Sequence, residues 1–203
     1  MIHYSIYDLY RKGVKVFLLS LPFLYRKKNI HIGKNFFSDG LFDLRVEDDG
    51  ELYIGDKVSL INSTYYNGFG VVKKNSIYVK NKAKLSIGDF TGLTGVSIYC
   101  AKSIIIGNYV LVGANCFIFD TDFHPIDPVQ RRDQIKSNVA FGESKPVVLK
   151  ENCFIGANTI ISKGVTIGEN SVIAAGSRII KDVPANEVWG GNPSKFIKKI
   201  QSE

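Results

Sequence analysis

His124 is the histidine of this 203-residue chain whose neighbours most favour chemistry. It begins a polar stretch and is preceded by two carboxylates, Asp120 and Asp122. Imidazole is the side chain best matched to remove a proton at neutral pH, for example from a hydroxyl that attacks a thioester. We therefore interpret His124 as a candidate general base, with Asp120 and Asp122 orienting its ring or holding an acceptor. A histidine beside Pro125 and carboxylates in a turn are also consistent with structural roles.

The other residues able to bind a metal do not cluster in the sequence. His3 lies near the start and His31 beside an Ile-Gly pair, so these two and His124 are too scattered to give the three ligands of a zinc hydratase. Three cysteines without a CxxC pair are interpreted as reduced filler: Cys100, Cys116 and Cys153. We expect no metal requirement.

A six-residue period in the last third of the chain predicts the structure that positions His124. Its apolar members are Leu149, Ile155, Ile161, Ile167, Ile173 and Ile179. Three positions after each comes a residue that accepts a left-handed backbone at low cost: Asn152, Asn158, Gly164, Asn170, Gly176 and Asp182. Two positions before each comes a side chain of modest size: Val147, Cys153, Thr159, Val165, Ser171 and Ser177. This period fits neither a helix nor an isolated strand.

Short strands joined by left-handed corners explain the period, because three such sides close a triangular coil of about eighteen residues. The fold predicted is all-β, a parallel β-helix filled with Ile, Val and Leu over residues 29–203. The period continues upstream through Ile87-Gly88, Ile54-Gly55 and Ile32-Gly33. Residues 61–78 and 121–145 interrupt it, and the second interruption contains His124. We expect positive φ at Asn158, Gly164, Asn170 and Gly176.

Residues 1–28 differ from the repeat and carry apolar residues at mostly helical spacing, closed by Arg26, Lys27 and Lys28. The apolar run is too short to span a bilayer, and it lacks the order of a signal peptide. We predict an N-terminal helical segment that either caps the prism or rests on the inner membrane surface. The formal net charge of +7 fits an anionic membrane or a polyphosphate ligand. No nucleic-acid-binding motif accompanies it, so we expect no nucleic acid partner. The reduced cysteines and the lack of a signal-peptide pattern lead us to expect a cytoplasmic location.

The run FDTDFHPIDP, the segment from Glu143 to Ile200 and the repeat between them resemble the hexapeptide acyltransferases. The resemblance is strongest to the sugar O-acetyltransferases, which include maltose and galactoside acetyltransferases and enzymes of surface-polysaccharide clusters. It implies a left-handed parallel β-helix, a homotrimer with active sites between prisms, and acetyl-coenzyme A as donor. It also implies direct transfer with His124 as general base, and Gly142 as one backbone donor to the oxyanion.

Donor-site residues follow from the same resemblance and from the shape of coenzyme A. Small residues along stacked corners suit the pantetheine arm, basic residues after the last rungs suit the phosphates, and the final turn suits the adenine. A short C-terminal helix would bring two lysines, three residues apart, to one phosphate. Packing alone explains the small residues equally well, and a solvated tail explains the basic ones. The candidates are Phe154, Gly156, Ala157, Ala174, Ala175, Lys181, Asn192, Pro193, Lys195 and Lys198.

The acceptor is the least specified part of the site. Arg131 and Asp127, in the same interruption as His124, are candidate contacts to a sugar. The apolar N-terminal segment favours a glycan of surface polysaccharide or lipopolysaccharide synthesis. N-acetylation of an amino-sugar nucleotide is an alternative within catalysis, and a non-catalytic β-helix scaffold is an alternative outside it.

Overall fold

The computed structural model describes residues 29–65, 67–68, 70–137 and 142–201, which build a three-sided parallel β-helix. The predicted helical segment over residues 1–28 lies outside the described residues. Within them, no helix combines the length and apolar character needed to cross a bilayer. The chain visits three sheets in turn, A then B then C, so that each sheet forms one side of a prism.

The strands are numbered in chain order. Sheet A contains β1 (Ile30–Ile32), β4 (Glu51–Ile54), β7 (Lys84–Ile87), β10 (Ser103–Ile106), β13 (Val147–Leu149) and β16 (Thr166–Ile167). Sheet B contains β2 (Phe37–Ser38), β5 (Ser59–Ile61), β8 (Gly92–Thr94), β11 (Leu111–Val112), β14 (Phe154–Ile155), β17 (Val172–Ile173), β19 (Glu187–Gly190) and β20 (Lys195–Lys199). Sheet C contains β3 (Asp43–Val46), β6 (Ser76–Val79), β9 (Ser97–Cys100), β12 (Phe117–Phe119), β15 (Ile160–Ile161) and β18 (Arg178–Ile179).

The core register follows the predicted six-residue period. Ile155 pairs with Ile173 and Ile161 pairs with Ile179, so one full coil is eighteen residues long. Every member of the apolar series is fully buried, and the series of smaller side chains two positions earlier is buried with it. Because successive strand residues point to opposite faces, each short strand sends one aliphatic side chain inward. The prism interior is therefore a continuous apolar stack.

The corners are made by residues in the left-handed region. Asn158 has φ 58°, Gly164 has φ 74°, Asn170 has φ 58° and Gly176 has φ 72°, which confirms the prediction. Asn pays less than other non-glycine residues for this backbone, which explains its recurrence at these positions. We name the corners by the sheets that they join: AB, BC and CA.

Two interruptions of the coil leave from different corners. The first lies between β5 and β6 at the BC corner and covers residues 62–75. The predicted range of 61–78 was therefore too long by one residue at its start and by three at its end. The second lies between β12 and β13 at the CA corner and contains a helix, α1 (Pro128–Ser137), that the sequence pattern did not predict.

The predicted C-terminal helix is wrong. Residues 195–199 form β20, which pairs antiparallel with β19 at the end of sheet B. The edge of β19 would otherwise offer unpaired backbone groups, and a strand satisfies them where a helix could not. The pairing also determines what the lysines of this segment can reach, because a bulge between Phe196 and Lys198 interrupts the alternation of side chains along β20.

Candidate active site

The loop that carries His124 is closed at its base by the chain that returns to the prism. The backbone N–H of Asp122 donates to Glu143 at 3.1 Å, and the N–H of Lys145 donates to Asp120 at 2.9 Å. An antiparallel bridge between Thr121 and Ser144 lies between these bonds. This neck holds the start of the loop rigidly against the CA corner.

His124 directly follows a strained turn. Its backbone N–H donates to the carbonyl of Asp122 at 2.7 Å, and Phe123 between them has φ 63°. An i to i+2 hydrogen bond around a residue with positive φ is a rare form of γ-turn, and it is costly for a bulky side chain. The Phe123 ring packs on Tyr99 at 4.8 Å and on Phe119 at 5.5 Å, which offsets that cost. Strain of this kind concentrates at functional sites.

Gln134 from helix α1 holds the His124 ring. The Nδ1 atom of His124 lies 3.0 Å from Oε1 of Gln134, and the Gln134 amide nitrogen donates to the carbonyl of Phe123 at 3.3 Å. The second bond fixes which end of the amide faces the ring. Since Oε1 can only accept, Nδ1 carries a proton, and in the neutral ring the lone pair then lies on Nε2. The ring is exposed, so Nε2 can reach a substrate.

Asp127 and Arg131, the predicted acceptor contacts, are used by the loop itself. Oδ1 of Asp127 accepts from the backbone N–H groups of Val129 at 3.0 Å and Gln130 at 2.8 Å, which makes Asp127 the N-cap of α1. Arg131 donates to the carbonyls of Pro125 at 3.1 Å and Ile126 at 2.8 Å. Both residues therefore build the helix that carries Gln134.

Asp120 supports the corner below the loop and not the imidazole ring. It is fully buried, and its two oxygens accept from the backbone N–H groups of Ala101, Lys102 and Ser103, each at 2.7 Å. Three such bonds occupy most of its accepting capacity. The expectation that Asp120 orients His124 is not met by these contacts, and Gln134 performs that role.

Asp122 belongs to an ion cluster at the neck of the loop. The ammonium of Lys163, from the next CA corner of the prism, lies 2.9 Å from Asp122 and also bonds Glu143. The hydrogen bond to Glu143, supported by the one to Asp122, raises the pKa of Lys163. Lys163 therefore stays charged and ties both sides of the neck to the prism.

Gly142 packs directly against the backbone beside His124. A Cβ atom at this position would lie 2.6 Å from the carbonyl oxygen of His124 and 2.9 Å from Cβ of Asp122, so only glycine fits. A cavity of about 260 Å³ opens here, lined in part by Asp122, Asp127 and Gly142. The structure thus brings Gly142 and Asp122 to the side of His124.

The small residues predicted for the donor stack at the BC corner. A Cβ on Gly156 would lie 2.8 Å from the backbone carbon of Ala174, and the N–H of Gly156 donates to Ile173 at 2.8 Å. Ala157 and Ala175 lie at the same corner in successive coils. Close contact between successive coils explains why residue 156 is a glycine. The small side chains stacked at this corner also leave room on the surface for the extended pantetheine arm of coenzyme A.

Most of the remaining donor candidates lie on sheet B or just beyond it, whereas Lys181 lies at the CA corner after β18. Phe154 is 48% exposed on the outer face of β14, paired in register with Leu111 and Val172. The turn with Asn192 and Pro193 joins β19 to β20, and its backbone bonds that of Arg178. Lys181, Lys195 and Lys198 are all exposed. Lys195 pairs with Gly190 and Lys198 with Val188, two positions apart on β19, so a bulge in β20 leaves both lysines on the same face.

The two halves of the site lie at different corners of one prism. His124, Asp122 and Gly142 lie at the CA corner, whereas Gly156 and Ala174 lie at the BC corner. The width of sheet C separates these corners within one chain. A single prism therefore does not bring the small residues of its own BC corner to its own base.

The cysteines are unsuited to nucleophilic chemistry. All three are buried and unbridged. Burial raises the pKa of Cys100 to about 12 and that of Cys116 and Cys153 to about 11, so each stays a thiol at neutral pH. Among the described residues, no group of three or more His, Cys, Asp or Glu side chains is arranged to hold a metal ion.

Sequence reasoning missed Gln134, Lys163 and Glu143. Gln134 lies in a helix without an apolar stripe, and its partner is ten residues away along a polar loop. Lys163 interrupts a corner where small residues predominate, in the sequence Ile-Ser-Lys-Gly-Val, and that departure is the signal that could have identified it.

A family model matches part of the chain. Residues 146–181 match the model described as bacterial transferase hexapeptide (six repeats). A galactoside O-acetyltransferase of Lactococcus lactis is 42% identical over 97 residues, covering 48% of this chain and 44% of that protein. The chain aligns with 44–60% of the length of the curated relatives.

Solved structures agree with the fold. A galactoside acetyltransferase in complex with coenzyme A has 33% sequence identity and a TM-score of 0.51, over 58% of this chain and 56% of that one. A hexapeptide-repeat acetyltransferase from Vibrio cholerae has 21% identity and a TM-score of 0.59, over 97% of this chain and 93% of that one. The latter likeness concerns the fold alone.

Proposed function

We propose that the chain is a hexapeptide-repeat acyltransferase that transfers an acetyl group from acetyl-coenzyme A to a sugar hydroxyl. The observation that carries the proposal is the His124 ring, held through Nδ1 by Gln134 with Nε2 left to accept a proton. A base must sit within hydrogen-bond reach of the proton that it removes, and an exposed Nε2 meets that requirement.

The reaction is a direct transfer. Nε2 of His124 takes the proton of the acceptor hydroxyl as its oxygen attacks the thioester carbonyl, giving a tetrahedral oxyanion. The oxyanion collapses, the carbon–sulfur bond breaks, and the leaving thiolate takes the proton from the imidazolium. Direct transfer is supported by the cysteines, because buried thiols of raised pKa are poor nucleophiles for an acyl-enzyme. Backbone N–H groups near Gly142 are candidates to meet the oxyanion.

A homotrimer of left-handed coils is part of this proposal. Two features support it: the base and the donor candidates lie at different corners, and Leu111 and Phe154 expose an apolar column on sheet B. A second copy whose BC corner meets the CA corner of the first would complete the site. Large exposed apolar surfaces of this kind mark interfaces.

The acceptor proposed is a glycan of surface polysaccharide or lipopolysaccharide synthesis, modified in the cytoplasm. The basic and apolar residues 1–28 support contact with the inner membrane surface. Deleting residues 1–28 should abolish sedimentation with anionic vesicles and preserve turnover of a soluble acceptor. Sedimentation that survives the deletion would remove the membrane role.

A screen of acceptors tests the proposed reaction. The protein is incubated with acetyl-coenzyme A and each of a set of neutral sugars, amino sugars and nucleotide sugars, and free thiol is measured. We expect sugar-dependent thiol release, with a product that hydroxylamine deacetylates, as an ester requires. Release confined to amino-sugar nucleotides, with a hydroxylamine-stable product, would favour the N-acetylation alternative. No release with any acceptor, together with no thermal stabilisation by acetyl-coenzyme A, would favour the scaffold.

A further inference from the structure

The first interruption of the coil, residues 62–75, is held at both of its ends. The backbone N–H of Asn75 donates to the side-chain oxygen of Asn62 at 2.7 Å, which joins the two ends directly. Asp39, only 4% exposed, accepts hydrogen bonds from the backbone N–H groups of Asn62 and Ser63. Buried polar groups bonded in this way fix the backbone around them. The neck of the interruption is therefore rigid at the BC corner.

Residues 70–73, which we call the strap, lie along the BC corner. A Cβ atom on Gly95, at this corner between β8 and β9, would lie 3.1 Å from the side chain of Val71 and 2.6 Å from the carbonyl oxygen of Lys73. The ammonium of Lys73 donates to the hydroxyl of Ser97 at 2.8 Å. The strap is thus packed on the prism and does not stand away from it.

Asn115 holds the strap at the next coil. Its side-chain N–H donates to the carbonyl of Gly70 at 2.8 Å, and its side-chain oxygen accepts from the backbone N–H of Val72 at 3.1 Å. Asn115 makes the BC corner between β11 and β12, and β12 leads directly into the His124 loop. The strap therefore extends to the coil from which His124 departs.

The strap also ends the open part of the BC corner. The two corners that follow Asn115, at Asn158 and Gly176, are exposed, and beside them lie the small residues that are candidates for the pantetheine arm. An arm that follows this corner toward the first coils meets the strap where Asn115 holds it. We expect the reacting end of the donor at the same place.

The proposed trimer brings this point next to His124. Copies related by a threefold axis parallel to their prisms keep the same height along it, so each coil meets its equivalent in the next copy. His124 leaves the CA corner of the coil whose BC corner is Asn115. The His124 loop of one copy therefore faces the strap of its neighbour. Val72, an apolar side chain that is 82% exposed in the single chain, is the strap residue that such a neighbour would meet.

We propose that the strap of one copy is a wall of the acceptor pocket at His124 of the next, with Val72 against an apolar face of the acceptor. This inference rests on the proposed function and its trimer. It adds to them a specificity-determining residue from a second copy. The C–H face of a sugar ring packs on Val72, which excludes water from that side and holds a hydroxyl toward Nε2 of His124.

Cross-linking tests this arrangement without any catalytic step. Val72→Cys places a thiol on the strap, and Ile126→Cys places one on an exposed position of the His124 loop, whereas the native cysteines are buried. A short bis-maleimide should join the double variant into covalent dimers and trimers on denaturing gels, and neither single variant should be joined. Lys57→Cys with Ile126→Cys is the matched control, because Lys57 lies at the AB corner, and it should remain monomeric.

Mixed trimers test whether the strap takes part in the reaction. His124→Ala removes the base. Val72→Asp should lower kcat/KM for the acceptor roughly tenfold or more and leave KM for acetyl-coenzyme A unchanged, because it replaces an apolar contact with a charge. In equal co-expression about one site in four combines an intact base with an intact neighbouring strap, so we expect about a quarter of the parent activity. Straps that served their own copy would give about a twentieth or less, since no site would then be intact.

The controls confirm that Val72→Asp acts locally. Tyr53→Asp changes an exposed side chain on sheet A and should keep the parent's kinetics. Melting curves and light scattering establish whether Val72→Asp is folded and trimeric. If it is not, Val72→Ser takes its place, because it removes the apolar contact without adding a charge, and it should raise KM for the acceptor several-fold.

The two experiments separate this inference from the proposed function. A parent that cross-links through the strap but transfers no acetyl group would refute the proposed function and support the arrangement of strap and loop. An active parent whose double cysteine variant stays monomeric would overturn the strap proposal alone. A mixture no more active than about a twentieth of the parent, or parent kinetics in a folded Val72→Asp trimer, would overturn it as well.

Discussion

The Nδ1 atom of His124 lies 3.0 Å from the side-chain oxygen of Gln134, and this contact determines what the ring can do. The amide of Gln134 is itself oriented by its 3.3 Å bond to the carbonyl of Phe123. A neutral imidazole that donates through Nδ1 presents an unprotonated Nε2. Helix α1, capped by Asp127, is thus the element that prepares a base on an otherwise exposed loop.

Replacing Gln134 tests this positioning role. Gln134→Leu should lower kcat by about tenfold, near the value of one neutral hydrogen bond, with little change in KM for acetyl-coenzyme A. Gln134→Glu keeps an acceptor at the same place and should retain most of the activity. A purely structural role would make the two variants lose activity together with thermal stability. Steady-state kinetics and melting curves on both variants distinguish these outcomes.

Strand β10 offers a matched test of the core register. Ile106 is 1% exposed and points into the prism, whereas its neighbour Ile105 is 46% exposed on the outer face. Ile106→Ala should lower the free energy of unfolding by roughly 2–5 kcal/mol because it leaves a cavity. Ile105→Ala should lower the free energy of unfolding by well under half of that amount. Urea unfolding measures both, and comparable losses would refute the register.

The corrected C-terminal strand keeps two donor candidates together. Lys195 pairs with Gly190 and Lys198 with Val188, two positions apart on β19, so the bulge in β20 leaves both lysines on one face. We expect the double variant Lys195→Ala/Lys198→Ala to raise KM for acetyl-coenzyme A several-fold at low salt, and a Lys82→Ala control to match the parent. The kcat should be unchanged, since ground-state binding alone is lost. An unchanged KM in the double variant would contradict a role for this face in donor binding.

The lowered pKa of Glu47 predicts how the free energy of unfolding depends on pH. The hydroxyl of Tyr78 donates to Glu47, and with help from the N–H of Asn81 and the ammonium of Lys80 it lowers the pKa of Glu47 to about 2 against the effect of burial. The unfolded chain binds this proton at a higher pH, near 4.5. The stabilisation is therefore complete above about pH 4.5 and is lost as the pH falls toward 2.

Urea unfolding at pH 7 and pH 3 measures this loss. Glu47→Gln should be less stable than the parent at pH 7 and should lose less stability between the two values. Glu51→Gln, which removes an exposed ion pair to Lys84, should keep the dependence of the parent. An unchanged pH dependence in Glu47→Gln would show that Glu47 does not contribute to it.

The β-helical coil could be predicted from sequence because the residues that fill its core and make its corners are determined by their near neighbours in the chain. Ile161 and Ile167 had to point inward once the period was six, and Asn158 and Gly164 had to make the corners. Such rules depend on the residue and its near neighbours alone.

The parts that were missed depend on contacts distant in sequence. Gln134 meets His124 only because the loop folds back at Asp127, and Asp120 serves a corner nearly twenty residues earlier. The segment from Lys195 to Lys199 has no pattern that excludes a helix, and the open edge of β19 determines its strand. The local propensities of these residues could not predict any of these contacts.

The most direct measurement of the central claim compares the parent with His124→Ala, using the best acceptor from the screen. General base catalysis typically contributes 10²–10⁴ in rate, so kcat should fall at least about a hundredfold. Binding of acetyl-coenzyme A and the oligomeric state, read by thermal shift and light scattering, should match the parent. A kcat within a few-fold of the parent would contradict the assignment of His124 as the base.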